Sequence, residues 1–183
     1  MNLDRRGWFL ATGVAAAATA AGLGWSAWHA HRANDGALGG AEAGATDGLW
    51  SSSFEAPDGK PLVMASLRGQ PLVLNFWATW CPPCVREMPA LDRFARDFAP
   101  RGWRVVGLAA DKAESVRSFL ARTPVSYAVG LTGFAGIELS RRLGNQAGGL
   151  PFTLLFGRDG RVARQHSGET SYDQLSAWAK RVG

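Results

Sequence analysis

The residues Leu72-Val73-Leu74-Asn75-Phe76-Trp77 are apolar except for one asparagine, and two residues later the chain reads Trp80-Cys81-Pro82-Pro83-Cys84. So short and apolar a run is the signature of a strand buried on both faces, at the centre of a sheet covered by helices. Directly after it, Val85, Met88, Leu91, Phe94 and Phe98 recur at helical spacing, with a kink expected at Pro89. The only two cysteines in 183 residues stand at this strand-to-helix junction. Two thiols at this spacing can join as a disulfide and part again, and a helix starting there favours a thiolate on the first. The junction constrains the chain to an α/β fold and points to thiol–disulfide exchange as its chemistry.

The remaining pattern agrees with a mixed sheet. Leu49–Glu55 and Pro61–Met64 read as an edge hairpin closed by the Pro57-Asp58-Gly59 turn. Val105–Ala109 is a second buried strand, and Asp111 with Glu114 predicts a capped helix reaching about Arg122. Val125–Val129 reads as a short strand and Phe134–Leu143 as a helix. Phe152–Phe156 and Val162–His166 form a hairpin across Arg158-Asp159-Gly160-Arg161, and a helix from Ser171 carries Leu175, Trp178 and Val182 on one face. The resulting order is β-hairpin, βαβ, βα, ββα, with helices on both faces of one sheet.

The first 33 residues are of another kind. Asp4-Arg5-Arg6-Gly7-Trp8-Phe9-Leu10 resembles a twin-arginine export signal, and from Gly7 to His31 there is no charged residue. As a helix, Gly7–Trp28 would be about 33 Å long at ~1.5 Å per residue, enough to cross a bilayer. Small-x-small cleavage sites appear only at Ala41-Glu42-Ala43 and Ala43-Gly44-Ala45, so an uncleaved anchor is favoured over a released protein. Residues 34–48 read as a flexible tether with a reach of roughly 20 Å. The expected organisation is a signal or anchor over 1–33, a linker over 34–48 and one folded domain over 49–183. That places the domain on the periplasmic side of the inner membrane. Net charge is +5, and from residue 33 onward 17 basic face 14 acidic residues. The basic residues are scattered without an aromatic stripe, which argues against nucleic-acid binding.

Other uses of the cysteine pair fit poorly. A permanent disulfide across two residues closes too short a loop to stabilise much. Half a zinc site would need further ligands, and His29, His31 and His166 are badly placed to supply them. Haem attachment needs a histidine after the second cysteine, where Val85 stands. No metal and no cofactor is expected.

The segment from Asn75 to Pro89 resembles the active-site segment of the thioredoxin superfamily, and more narrowly that of the membrane-tethered TlpA/ResA branch of thiol–disulfide oxidoreductases. The resemblance extends over roughly Leu49 to Val182. It implies a thioredoxin-like fold with an N-terminal β-hairpin and an inserted strand and helix, here Val125–Leu143, before a cis-proline loop. Leu150-Pro151 falls where the family has that loop, so Pro151 is expected to be cis, with Leu150 offering backbone groups to an extended substrate. Gly148 and Gly149 would let the chain turn there. Cys81 becomes the exposed attacking thiolate and Cys84 the shielded resolving thiol of a redox-active disulfide. Pro82 and Pro83 offer neither a charge nor an N–H to a thiolate, which suggests a reductant rather than an oxidant.

Glu87 matches an active-site acid of the same branch and, three residues beyond Cys84, lies on the same side of its helix. It would exchange protons with the thiols, the plain alternative being a solvated helix glutamate. Asn75 occupies the place of thioredoxin's buried acid and cannot serve as one. Trp80 is expected as a partly exposed platform beside Cys81, Trp77 as core, His166 as an ordinary strand residue and Asp111 as a helix cap.

The activity expected is reduction of disulfides in exported proteins, with a membrane dithiol carrier as electron donor. By resemblance, the clients include proteins of cytochrome c biogenesis or copper-site assembly. A disulfide oxidase or isomerase, and a non-enzymatic metal-delivery module, stay open as alternatives. A peroxidase does not, because the peroxiredoxin context around the cysteine is absent.

Overall fold

A computed structural model describes residues 44–182 of the chain. The elements, in chain order, are α1 Ala45–Trp50, β1 Ser53–Glu55, β2 Pro61–Val63, β3 Leu72–Trp77, α2 Pro82–Phe98 and β4 Arg104–Ala109. They continue with α3 Ala113–Arg122, β5 Ala128–Leu131, α4 Ala135–Arg142, β6 Phe152–Phe156, β7 Val162–Ser167 and α5 Tyr172–Val182. The segment expected to be an export signal or anchor and residues 34–43 of the expected tether lie outside the described residues. Among the described residues no helix is long and apolar enough to cross a membrane.

All the strands join one sheet in the order β2-β1-β5-β4-β3-β6-β7. β3, β4 and β5 are parallel, while β6 and β7 add antiparallel on one side and β1 and β2 on the other. β3 is buried along its whole length, as its unbroken apolar run requires of a strand covered on both faces. Its alternate residues feed two cores. Val73 and Trp77 meet Met88, Leu91 and Phe94 of α2 and Leu175 and Trp178 of α5. Leu72, Leu74 and Phe76 meet Leu49 and Trp50 of α1 and Leu139 and Leu143 at α4.

The topology gives the sheet a direction. β3, β4 and β5 each lead into a helix that must run back, and β7, parallel in sense to β3, does the same. Hence α2, α3, α4 and α5 all begin at one end of the sheet, where β6 also starts. Their last turns, at the far end, carry Arg96, Arg122, Arg141, Arg142, Lys180 and Arg181, the charge that complements helix C-termini.

Four expectations need correction. Leu49 and Trp50 are helical rather than part of a strand, and Ala45–Gly48, read as the end of the tether, form the same helix. What holds so short a helix is its seat: Trp50 is 2% exposed, its Nε1 donates to Gly160 O at 2.9 Å, and its ring meets Phe156 edge-on. The strand expected at Val125–Val129 begins three residues later, at Ala128. Asp92 of α2 accepts from both the N–H and the hydroxyl of Ser126, which withdraws that residue from the ladder. Asp111 does not cap α3. Lys112 occupies the cap position without a side-chain bond, and the Asp111 carboxylate turns to Thr79 instead. Cys81, expected to be exposed, is buried, as described below.

The turn at Gly59, with φ +82°, closes the first hairpin as expected. α2 continues through Pro89, whose missing N–H leaves the Val85 carbonyl without its usual donor.

Candidate active site

The end of the sheet where the helices start gathers the predicted residues. The chain leaves β3 at Trp77, turns through Thr79 and Trp80, and enters α2 with Cys81 at the cap position and Pro82 and Pro83 in the first turn. Proline is suited there, since its fixed φ matches the helix and its missing N–H would be unpaired anyway. Cys81 and Cys84 are joined by a disulfide with their Cα atoms 5.3 Å apart. The Cys84 N–H points at Cys81 Sγ over 3.3 Å, so the helix's first free donor already faces the sulfur that would carry negative charge.

Burial separates the residues around the pair. Cys84 is fully buried and Cys81 is 4% exposed. The correction for Cys81 has a simple cause: its side chain packs into the core shared with Trp77, Ala78 and Met88, while Pro82 and Trp80 form the outer surface. Trp80 is 55% exposed. The Leu150-Pro151 bond is cis and Pro151 is buried. Leu150 packs against the cluster that contains both cysteines and takes part in none of the backbone bonds that tie the loops. Gly148, with φ +65°, makes the turn before it. Trp77 is core, its indole N–H buried without a partner. His166 lies in β7 against the Trp178 ring, 5.2 Å between centroids.

Glu87 is not a solvated helix residue. It is 1% exposed, and its two oxygens are held from different directions. Asn75 Nδ2 of β3 donates to Oε1 at 2.7 Å and also to Thr153 Oγ1 of β6 at 3.0 Å. The Thr170 N–H and hydroxyl, just before α5, donate to Oε2 at 2.7 and 2.8 Å. Burial pushes the carboxyl above its ordinary range, the bonds from Thr170 and Asn75 pull it back, and the nearby Glu169 carboxylate adds to the rise. Such a group can hold a proton nearer neutral pH than a free glutamate. Asn75 thus stands where an acid was ruled out and holds an acid supplied by the helix.

Thr79, Thr153, Thr170 and the true role of Asp111 were not visible in the sequence. Asp111 accepts from the backbone N–H and hydroxyl of Thr79 and from the N–H of Lys112, and so fixes the turn that carries Trp80. Nothing local announces a partnership between residues 32 apart on different strands' ends. Among the described residues no three His, Cys, Asp or Glu side chains gather as a metal site would require.

A vicinal thiol pair at a helix start, set against a cis-proline at the end of a seven-stranded mixed sheet, defines the thioredoxin-like class of fold. The family profile described as Redoxin matches residues 45–178, and the chain belongs to that family. The thiol-disulfide oxidoreductase ResA of Bacillus thuringiensis strain Al Hakam is 30% identical over 126 residues, 68% of this chain and 70% of its own length. The crystal structure of a thiol:disulfide interchange protein of the thioredoxin family from Chlorobium tepidum TLS superposes with a TM-score of 0.63 at 28% identity. It covers 72% of this chain and 92% of that one. A secreted Mycobacterium tuberculosis disulfide oxidoreductase homologous to E. coli DsbE gives 0.62 at 25% identity, covering 74% and 98%. The protein is a thiol–disulfide oxidoreductase of thioredoxin-like fold.

Proposed function

We propose that this protein reduces disulfides of exported proteins through the Cys81/Cys84 dithiol, on the periplasmic side of the inner membrane. The observation that carries the reading is the pairing of a dithiol at a helix start with a buried, hydrogen-bonded carboxyl three residues further along. In the working direction the Cys81 thiolate attacks one sulfur of the client disulfide. A mixed disulfide forms and the other client sulfur leaves as a thiolate that takes up a proton. Cys84 then loses its proton and attacks Cys81 Sγ, releasing the second client thiol and closing the Cys81–Cys84 bond. Two electrons pass from enzyme to client, and a membrane dithiol carrier must return them.

Glu87 takes and gives the proton of Cys84, its neighbour one turn back on α2. Trp80, Pro82 and Pro83 with Leu150 and Pro151 line the approach of an extended client segment. Export and anchoring rest on Arg5, Arg6 and the uncharged run to His31, and the secreted relative supports export. By likeness to ResA, apocytochrome c or a copper-site protein is the client class.

The reduction potential of the full chain, equilibrated with glutathione, tests the direction. A value of roughly −230 mV or lower is expected, and one above roughly −180 mV refutes the reductant reading in favour of an oxidase or isomerase. Cys84→Ser should accumulate the mixed disulfide on Cys81, whereas a metal-delivery module would leave protein disulfides untouched.

A further inference from the structure

We infer that Phe134, with Trp80, forms an apolar seat for an extended client segment that carries a large apolar side chain about three residues from its disulfide cysteine. The inference rests on Cys81 being the sulfur that meets the client.

Among the described residues three large apolar side chains are exposed: Val63, Trp80 and Phe134. Val63 lies on the outermost strand of the sheet, away from the thiols. Trp80 and Phe134 both follow strands that end at the catalytic end, β3 and β5. Phe134 is 57% exposed. Its position makes that exposure hard to explain by folding. It is the cap residue of α4, where Ser, Thr, Asp or Asn would satisfy a free helix N–H, and it makes no side-chain cap bond. A residue that neither caps the helix nor fills the core stands on the surface at the end of the sheet that carries the reactive pair, two strands over from it.

The two aromatic residues are held to one frame. The Thr132 N–H and hydroxyl both donate to Ala109 O, at 3.0 and 2.7 Å, which fixes the turn carrying Phe134 to the end of β4. Two residues beyond Ala109, Asp111 fixes Thr79 and so the turn carrying Trp80. A seat made before the ligand arrives loses little freedom on binding. β4 separates β3 from β5, so the strand ends at Trp77 and Leu131, three residues before Trp80 and Phe134, stand about 10 Å apart at ~4.8 Å per strand. An extended segment covers that span in about three residues. Because Cys81 is only 4% exposed, a client sulfur must be pressed between the surrounding walls, which an extended chain can do. The shared end of the sheet is what selects the occupant: Trp80 adjoins Cys81, and a polypeptide that exchanges with Cys81 and runs towards β5 meets Phe134 next.

The step served is the one written above: the client disulfide gains two electrons and two protons, and the dithiol becomes the Cys81–Cys84 bond. The reduced full chain is assayed with peptides whose single cysteine is disulfide-linked to a chromophoric thiol. Leu or Ser is placed three residues before or after that cysteine, and glutathione disulfide serves as a small reference substrate. Wild type should prefer Leu to Ser on one side of the cysteine by about tenfold in the second-order rate constant of the single reductive step, a change in transition-state binding of about 1.4 kcal/mol. F134S should remove that preference while leaving glutathione disulfide turnover and the reduction potential unchanged, and it should melt no lower than wild type. V63S should change nothing.

An F134S protein that keeps the Leu preference overturns the seat while leaving the exchange reading intact. A wild type that reduces none of the peptides overturns the exchange reading, and the seat with it. A sedimentation coefficient that falls from dimer to monomer on F134S assigns the residue to a second copy of this chain and also overturns the proposal.

Discussion

Replacing Asn75 by alanine isolates the hold that β3 keeps on the buried acid. The side chain makes two bonds, 2.7 Å to Glu87 and 3.0 Å to Thr153. Losing the neutral bond to Thr153 costs about 1 kcal/mol, whatever the pH. The bond to Glu87 is worth about 1.5–3 kcal/mol to the carboxylate and about 1 kcal/mol to the neutral carboxyl. The sign follows from the raised folded value. Glu87 resists ionisation in the fold, so its contribution is fully present below the unfolded value near ~4.3 and falls as pH rises through the higher folded one. N75A deepens that fall. Beyond the cost of the cavity, urea unfolding of the oxidised protein should therefore show a loss of about 2 kcal/mol at about pH 4 and about 2.5–4 kcal/mol at about pH 8. The cavity left by the substitution is present at both pH values and cancels in the difference. An equal penalty at the two pH values would refute the claim that Asn75 steadies a carboxylate, and in an E87Q background the pH dependence of the penalty should vanish.

D111A leaves the Thr79 and Lys112 donors without their acceptor and should cost about 2–4 kcal/mol in urea. By freeing the turn that carries Trp80, it should also raise KM for protein disulfides more than it lowers kcat. W50A removes the ring seated on Gly160 and Phe156 and should cost about 3–5 kcal/mol with the reduction potential unchanged. G130A would set a Cβ 2.9 Å from Leu108 Cδ2 and 3.0 Å from Phe54 Cβ, and calorimetry should show a loss of about 1–3 kcal/mol from overpacking.

The central βα unit was legible because its causes are local: an apolar run of strand length, a proline pair at a helix start and a stripe at helical spacing. The two hairpins were legible for the same reason, through Asp58-Gly59 and Asp159-Gly160. Failures occurred where a partner far along the chain decides. Six residues with no capping side chain do not announce α1, whose hold is Gly160, 110 positions away. The start of β5 was misplaced because Asp92 takes the backbone of Ser126. Asp111 sits where a cap would sit, and only the folded sheet brings Thr79 within its reach. The resemblance pointed to Glu87 and Pro151, but it could not say what would hold the acid. Thr170 lies 83 residues from Glu87 and carries no motif of its own.

In this protein the acid and Cys84 ride on one helix with Cys81 at its cap, whereas the groups that grip the acid belong to β3 and the turn before α5, with β6 steadying Asn75 from behind. A stiff helix keeps Glu87 and Cys84, one turn apart, at a constant offset. The grips do not travel with it. A shift of α2 as a body would therefore lengthen or shorten the bonds to Asn75 and Thr170. Amide and side-chain NMR of Asn75 and Thr170 in the oxidised and the reduced protein would read such a shift at positions that never touch sulfur.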